Sequence, residues 1–229
     1  DPDGDGLDNL QEQAFGTNHP DVATGLNTLA MLYKTQRDYV RAVPLYKRSL
    51  AIQERTLGPD HPDVAVSLNN LAELYRNQSD YVKAEPLYQR SLAIQEKAFG
   101  NNHPDVATSL NNLAELYRNQ GDYAKAKPLY QRSLEIREIV FGSDHPDVAL
   151  SLNNLAGFYD ILGDYVKAEH LYKRSLAILE KTLGPDHPDV AMSLNNLATI
   201  YKTRGNYANA ELLYKRSLSI LEKSLGPDH

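Results

Sequence analysis

Residues 101–142 read NNHPDVATSLNNLAELYRNQGDYAKAKPLYQRSLEIREIVFG, and most of the 229-residue chain is this stretch written again. Shifted back by 42 residues, it meets 59–100 with 32 of 42 positions identical. His-Pro-Asp recurs at His19, His61, His103, His145 and His187, always at the same interval. A fixed period of this size is the mark of stacked repeats, in which each unit buries its apolar face against its neighbours. The expected fold is therefore all-α, a solenoid of five helix–turn–helix units spanning 17–58, 59–100, 101–142, 143–184 and 185–226. A segment at 1–16 runs into a partial second helix, and 227–229 opens a sixth unit, so the chain reads as a fragment of a longer array.

Each unit carries two helix signals. Asn18, Asp60, Asn102, Asp144 and Asp186 stand as N-cap candidates. Each has an aspartate three residues on (Asp21, Asp63, Asp105, Asp147, Asp189) and a proline in the first turn. Val64, Leu68, Leu71, Ala72 and Tyr75 then fall on one helical face. The first helix is expected to stop near Ser79, with Gly121, Gly163 and Gly205 as left-handed caps in the later units. The second helix starts from Asp38, Asp80, Asp122, Asp164 or Asn206, and buries Tyr81, Ala84, Leu87, Tyr88 and Ile94. Pro44, Pro86 and Pro128 sit in its second turn and predict a local bend there; His170 and Leu212 replace them in the last two units.

Composition excludes several functions. A net charge of −6 gives no support for nucleic-acid binding. Cysteine is absent, so disulfides, thiol catalysis and zinc–thiolate sites are out. No apolar run is long enough to span a bilayer, no signal peptide is evident, and the compartment stays open. The fifteen tyrosines come three per unit, which reads as core packing rather than a base-stacking platform. The His-Pro-Asp tripeptide looks like that of the J-domain, but its place at every first-helix start reads as capping. No HExxH spacing occurs and no Ser, His and Asp set stands out from the periodic background, so no enzyme is expected.

Residues 1–12, DPDGDGLDNLQE, fit the calcium-loop pattern D-x-[DN]-x-[DN]-G-x5-E. Asp1, Asp3 and Asp5 would supply carboxylates, Gly6 the turn, Leu7 its carbonyl, Asn9 a water-mediated contact and Glu12 a bidentate carboxylate. The loop resembles dockerin and bacterial thrombospondin type 3-like loops more than a full EF-hand. Glu12 also holds the repeat position of Glu54, Glu96, Glu138, Glu180 and Glu222, so only the aspartates and Gly6 speak for calcium independently. An acidic disordered tip is the alternative.

The spaced large and small residues Leu110, Leu113, Ala114, Tyr117, Ala126, Tyr130 and Ser133 resemble the tetratricopeptide repeat. The 42-residue period and the wording HPDVAxSLNNLAxLY are similar to the kinesin light chain type, from about Leu10 to the end. The resemblance implies a right-handed superhelix whose first helices line a concave face that holds extended peptides. Mid-helix asparagine is mildly unfavourable, so the recurring Asn-Asn pair wants a reason. The first members are Asn27, Asn69, Asn111, Asn153 and Asn195; the second are Asn70, Asn112, Asn154 and Asn196. An amide per repeat could bond a peptide backbone, and in the family the second asparagine does so; the other reading is a tie between adjacent helices. Thr28 breaks the ladder in the first unit. Lys34, Arg76, Arg118 and Lys202 follow six residues after the ladder column, on about the same face, with Asp160 in the fourth unit. The basic members suit an acidic peptide, and Glu73 and Glu115 offset them in part. The expected partner is a protein or peptide, with no nucleic acid and no membrane. Self-assembly through an uncovered last helix, with Tyr207, Leu213, Tyr214 and Leu218, is the competing expectation.

Overall fold

A computed structural model of the chain describes residues 19–225. The calcium-loop residues Asp1, Asp3, Asp5, Leu7 and Glu12 lie outside that range, as does Asn18. Among the described residues there are ten helices and no strands. First helices of 16 or 17 residues alternate with second helices of 19: α1 (Pro20–Thr35), α2 (Tyr39–Leu57), α3 (Pro62–Asn77), α4 (Tyr81–Phe99), α5 (Pro104–Gln120), α6 (Tyr123–Phe141), α7 (Pro146–Ile161), α8 (Tyr165–Leu183), α9 (Pro188–Thr203) and α10 (Tyr207–Leu225). The chain divides into two compact units, Asp1–Gly121 and Asp122–His229. In the first, α1 pairs with α2 and α3 with α4, α2 packs on α3, and α5 packs on α4. In the second, α6 packs on α7, α7 pairs with α8, α8 packs on α9, and α9 pairs with α10.

The first helices begin one residue later than the Asn/Asp pattern suggests. The N-cap is the histidine. Each of His19, His61, His103, His145 and His187 accepts the backbone N–H of the aspartate two residues on through Nδ1, at 3.1–3.2 Å. The reason is the proline that follows. It occupies N1 and drives its predecessor into the extended region, which is the conformation of an N-cap. The displaced acids do other work: Asp60, Asp144 and Asp186 pair with Lys97, Lys181 and Lys223 at the ends of α4, α8 and α10, at 2.5, 2.5 and 3.2 Å.

The second helices are capped as the sequence suggests. Asp38, Asp80, Asp122 and Asp164 accept the N–H three residues on, at 3.1–3.3 Å. The helices run unbroken through Pro44, Pro86 and Pro128, with the same length as α8 and α10, which lack the proline. The carbonyl that loses its bond to Pro44 belongs to Val40, and the one facing Pro86 to Val82. Both residues are 85 % exposed, so water can satisfy the carbonyl.

Val64, Leu68, Leu71, Ala72 and Tyr75 are all buried, as are Ala84, Tyr88 and Ile94. Tyr81 and Leu87 are half-buried. Alanines at 0 % exposure on both helices of a pair, such as Ala72 with Ala84 and Ala156 with Ala168, leave room for close packing. A recurrent bond fastens each pair: Ser49, Ser91, Ser175 and Ser217 donate to the carbonyls of Ala23, Ala65, Ala149 and Ala191 at 2.7–2.8 Å. Tyr46, Tyr88 and Tyr130 are at most 2 % exposed and Tyr75, Tyr117, Tyr159 and Tyr172 are also buried, whereas Tyr123 and Tyr207 are 38 % and 69 % exposed.

Candidate functional site

The polar residues singled out by the sequence gather along the edges where first helices of successive repeats approach one another. A helix advances 100° per residue, so seven residues return nearly to the starting direction and six do not. Arg76 therefore shares an edge of α3 with Asn69 rather than with Asn70. Asn70 lies about 100° away from Asn69, and Glu73 falls between the two. The contacts follow this arithmetic. Asn112 on α5 donates Nδ2–H to Oδ1 of Asn69 at 3.1 Å. Three residues on, Glu115 forms an ion pair with Arg76. Toward α1, Glu73 meets Lys34 at 2.5 Å and lies 4.0 Å from Arg76. Lys34, Glu73, Arg76 and Glu115 thus form one alternating row across three first helices.

Part of the expected basic cluster in the first unit is consequently neutralised. The Arg76 side chain is 14 % exposed and committed to its carboxylates. Arg118 differs: its guanidinium meets the Asn119 amide oxygen at 3.3 Å and has no carboxylate partner among the described residues. Asn70 and Asn112 are both half-buried, each with part of its surface open.

In the second unit Asn154 and Asn196 are again half-buried, but the charged row is gone. Gly157 and Thr199 stand at the glutamate positions, and Asp160 at the cation position. Burial alone pushes the Asp160 carboxyl up from its ordinary value, and no cation faces it among the described residues. Lys202 is exposed and has no carboxylate partner among the described residues. Glu169 on α8 is instead the local charge centre. It binds Lys173 at 2.7 Å, the Tyr201 hydroxyl at 3.1 Å, and Arg204. These contacts, Lys173 foremost, hold its carboxyl below the usual range.

A second polar layer lies beneath these edges, and reading the sequence missed it. Buried serines on the first helices, Ser67 and Ser109, donate to Gln53 and Gln95 on the preceding second helices at 2.5 and 2.6 Å. Asn27 donates to Ser67 at 3.3 Å. In the second unit Arg137 takes the glutamine's place and donates to Ser151 at 2.8 Å and to the Asp147 carbonyl at 3.4 Å. Arg137 is 6 % exposed, and desolvation pulls its pKa down against the pull of Asp147. The next member of the column is Leu179, which offers no polar atom, and Ser193 Oγ is buried without a partner. The signal was available as a polar residue on an otherwise apolar stripe, 14 residues before Ser67, Ser109 and Ser151.

Among the described residues no group of three or more His, Asp or Glu could hold a metal ion, and no helix is long and apolar enough to cross a membrane. Capped helix pairs of this length, with small residues at their crossings and a 42-residue register, define an all-α solenoid of helix–turn–helix repeats. The chain belongs to the tetratricopeptide repeat family, whose model matches at residues 9–55, 21–97, 63–139, 105–181 and 147–223. That fold is typically a non-enzymatic protein-interaction scaffold. Comparison with curated protein sequences gives no match. Among solved structures, BtubC (BKLC) from P. vanneervenii is 27 % identical over 92 % of this chain and 84 % of its own, with a TM-score of 0.77. A Podosopora anserina putative kinesin light chain with nearly identical TPR-like repeats is 30 % identical over 90 % of this chain and 98 % of its own, with a TM-score of 0.74. The Rap protein complexed with Competence and Sporulation Factor shares the fold at 20 % identity, covering 86 % of this chain and 53 % of its own, with a TM-score of 0.71.

Proposed function

We propose that the chain is a non-enzymatic scaffold that holds an extended peptide along its first helices. The reading rests on one observation above the others. The second asparagine of each pair, Asn70 and Asn112 in one unit and Asn154 and Asn196 in the other, is kept half-buried at a position where the helix itself gains nothing from an amide. An amide there offers donors and an acceptor to a peptide backbone without reading its side chains. Arg118 and Lys202, which have no carboxylate partner, bias the peptide toward acidic side chains. Arg76 contributes through its row with Glu73 and Glu115 rather than as a free cation. The loop at Asp1, Asp3, Asp5, Leu7 and Glu12 adds a calcium site, on the strength of its ligand spacing.

The test is a binding series on a peptide selected by the wild-type protein. Asn70→Ala weakens any such peptide by about 0.5–1.5 kcal/mol, the net value of one hydrogen bond. Arg118→Glu weakens acidic peptides selectively and lowers their salt dependence. Unchanged affinity with a lower melting temperature for Asn70→Ala would show the amides to be ties between helices. For the loop, calorimetry with millimolar calcium shows binding heat that Asp3→Ala abolishes.

A further inference from the structure

The exposed edge of α7 carries two residues that neither the helix nor its packing asks for. One is Gly157, in the middle of the helix. Its backbone is not left-handed, and a Cβ at this position would meet only the Tyr172 hydroxyl, at 3.4 Å. A larger residue therefore fits, and the other repeats have one: Met31, Glu73, Glu115 and Thr199. Glycine in a helix interior is destabilising relative to alanine, so α7 is weakened here without a structural return.

The other residue is Asp160, half-buried and three places on. Its column is otherwise cationic, with Lys34, Arg76, Arg118 and Lys202. In the first unit such a cation is closed by an acid of the neighbouring first helix, Lys34 by Glu73 and Arg76 by Glu115. The equivalent of Glu115 opposite Asp160 is Thr199, whose hydroxyl donates to the Asn195 carbonyl at 2.9 Å. No cation faces the Asp160 carboxyl among the described residues. Helical phase puts Gly157 about 60° from Asn154 on one side and about 60° from Asp160 on the other. The missing side chain thus leaves a notch between the ladder asparagine and an unpaired carboxylate.

We infer that Gly157 and Asp160 form a subsite for a cationic side chain, lysine or arginine, of the peptide held along the first helices. Gly157 clears the space beside Asn154, and the Asp160 carboxylate pairs with the incoming charge. Nothing in the free protein competes for that carboxylate, so the pair forms only when the ligand arrives. The inference rests on the peptide-holding reading and adds to it a basic position, whereas Lys202 on α9 favours an acidic one.

The probe is a displayed library of random peptides panned on the whole chain, followed by affinity measurements on the selected sequences. The wild-type protein is expected to enrich Lys or Arg at one position. Replacing that residue by norleucine weakens binding about fivefold, the scale of a partly exposed ion pair, and costs nothing against Asp160→Asn. Asp160→Lys, which matches positions 34 and 202, turns the preference at that position to Asp and Glu. Gly157→Ala raises the melting temperature and yet weakens the basic peptides, a combination that a purely structural glycine would not give. Selected peptides without a basic position, a norleucine loss of equal size on Asp160→Asn, or a stabilised Gly157→Ala protein with unchanged affinity would each overturn the subsite and leave the peptide-holding edge standing. A library that yields no binder at all would overturn both.

Discussion

The two units are written in nearly the same words and differ in how their polar groups are closed. In Asp1–Gly121 a row of alternating charge, Lys34, Glu73, Arg76 and Glu115, ties first helix to first helix, and Gln53 and Gln95 answer Ser67 and Ser109. In Asp122–His229 glycine, aspartate and threonine interrupt the row at 157, 160 and 199, and Leu179 leaves the Ser193 hydroxyl unanswered. The apolar framework is unchanged: Val64, Leu68 and Leu71 in one unit have buried counterparts Val148, Leu152 and Leu155 in the other. Packing thus sets the fold in both, and the polar layer is where the repeats acquire individual character.

The contrast can be broken most strongly by giving the first unit the second unit's defect. Gln95→Leu places at 95 the residue found at 179 and leaves the Ser109 hydroxyl buried at 1 % exposure without its partner. Stranding a buried polar group costs about 1–3 kcal/mol. Unfolding of a repeat array is not strictly two-state, so the measurement is native-state hydrogen exchange in α4 and α5 alongside the urea midpoint. Faster exchange confined to those helices is the expected outcome; no change would show that Ser109 finds another partner.

The turns between helices give the next effect. The left-handed position carries Arg37 at φ 59° and Ser79 at φ 60° in the first two repeats, but Gly121 at φ 79°, Gly163 at φ 74° and Gly205 at φ 75° in the later three. A side chain there costs about 1 kcal/mol. Gly163→Ala should lower the melting temperature, and Ser79→Gly should raise it by a smaller amount, because added glycine entropy in the unfolded chain offsets part of the relief. A Gly163→Ala protein as stable as the parent would mean that the turn relaxes to negative φ.

Ser193→Ala and Ser151→Ala form a matched pair of somewhat smaller size. The first removes an unpartnered hydroxyl and stabilises by up to about 1 kcal/mol; the second removes the partner of Arg137 and destabilises by about the same. Opposite signs in urea denaturation are required, and two losses would contradict the difference between the sites.

The sequence made the framework legible because its signals are local. Periodicity located both helices, and Asp80 and its equivalents marked the second-helix caps. The first-helix cap was misplaced by one residue since Asn and Asp outrank His as caps in general, while the proline after His61 decides the matter in this setting. The site was legible in membership and not in pairing. The Asn-Asn pairs and the basic column stand out in a row of letters, and helical phase sets Arg76 about 20° from Asn69 and about 120° from Asn70, but its bond to Glu115 depends on where α5 lies. The serine layer escaped because Ser67, Gln53 and Leu179 each look unremarkable until three elements are brought together.

The smallest effect concerns Asp160, which stands where the first unit has Arg76. Burial is the sole cause acting on its carboxyl, and it raises the pKa. A raised value means that the folded state binds the proton more tightly than the unfolded chain. The favourable contribution is thus fully present below the ordinary carboxylate value of 3.8, and is lost as pH rises through the folded pKa. At neutral pH the ionised group is a mild liability. Asp160→Asn keeps the shape and removes the charge, so it should stabilise at pH 7 by a few tenths of a kcal/mol, the scale of partly exposed charges. The gain should shrink toward zero at pH 3, where Asp160 itself is neutral. Melting curves of parent and variant at the two pH values read this directly. A gain that is equal at both would assign the effect to the amide's hydrogen bonding, and a loss at pH 7 would mean that the carboxylate has a cationic partner in solution, restoring to the second unit the kind of pairing that Arg76 has in the first.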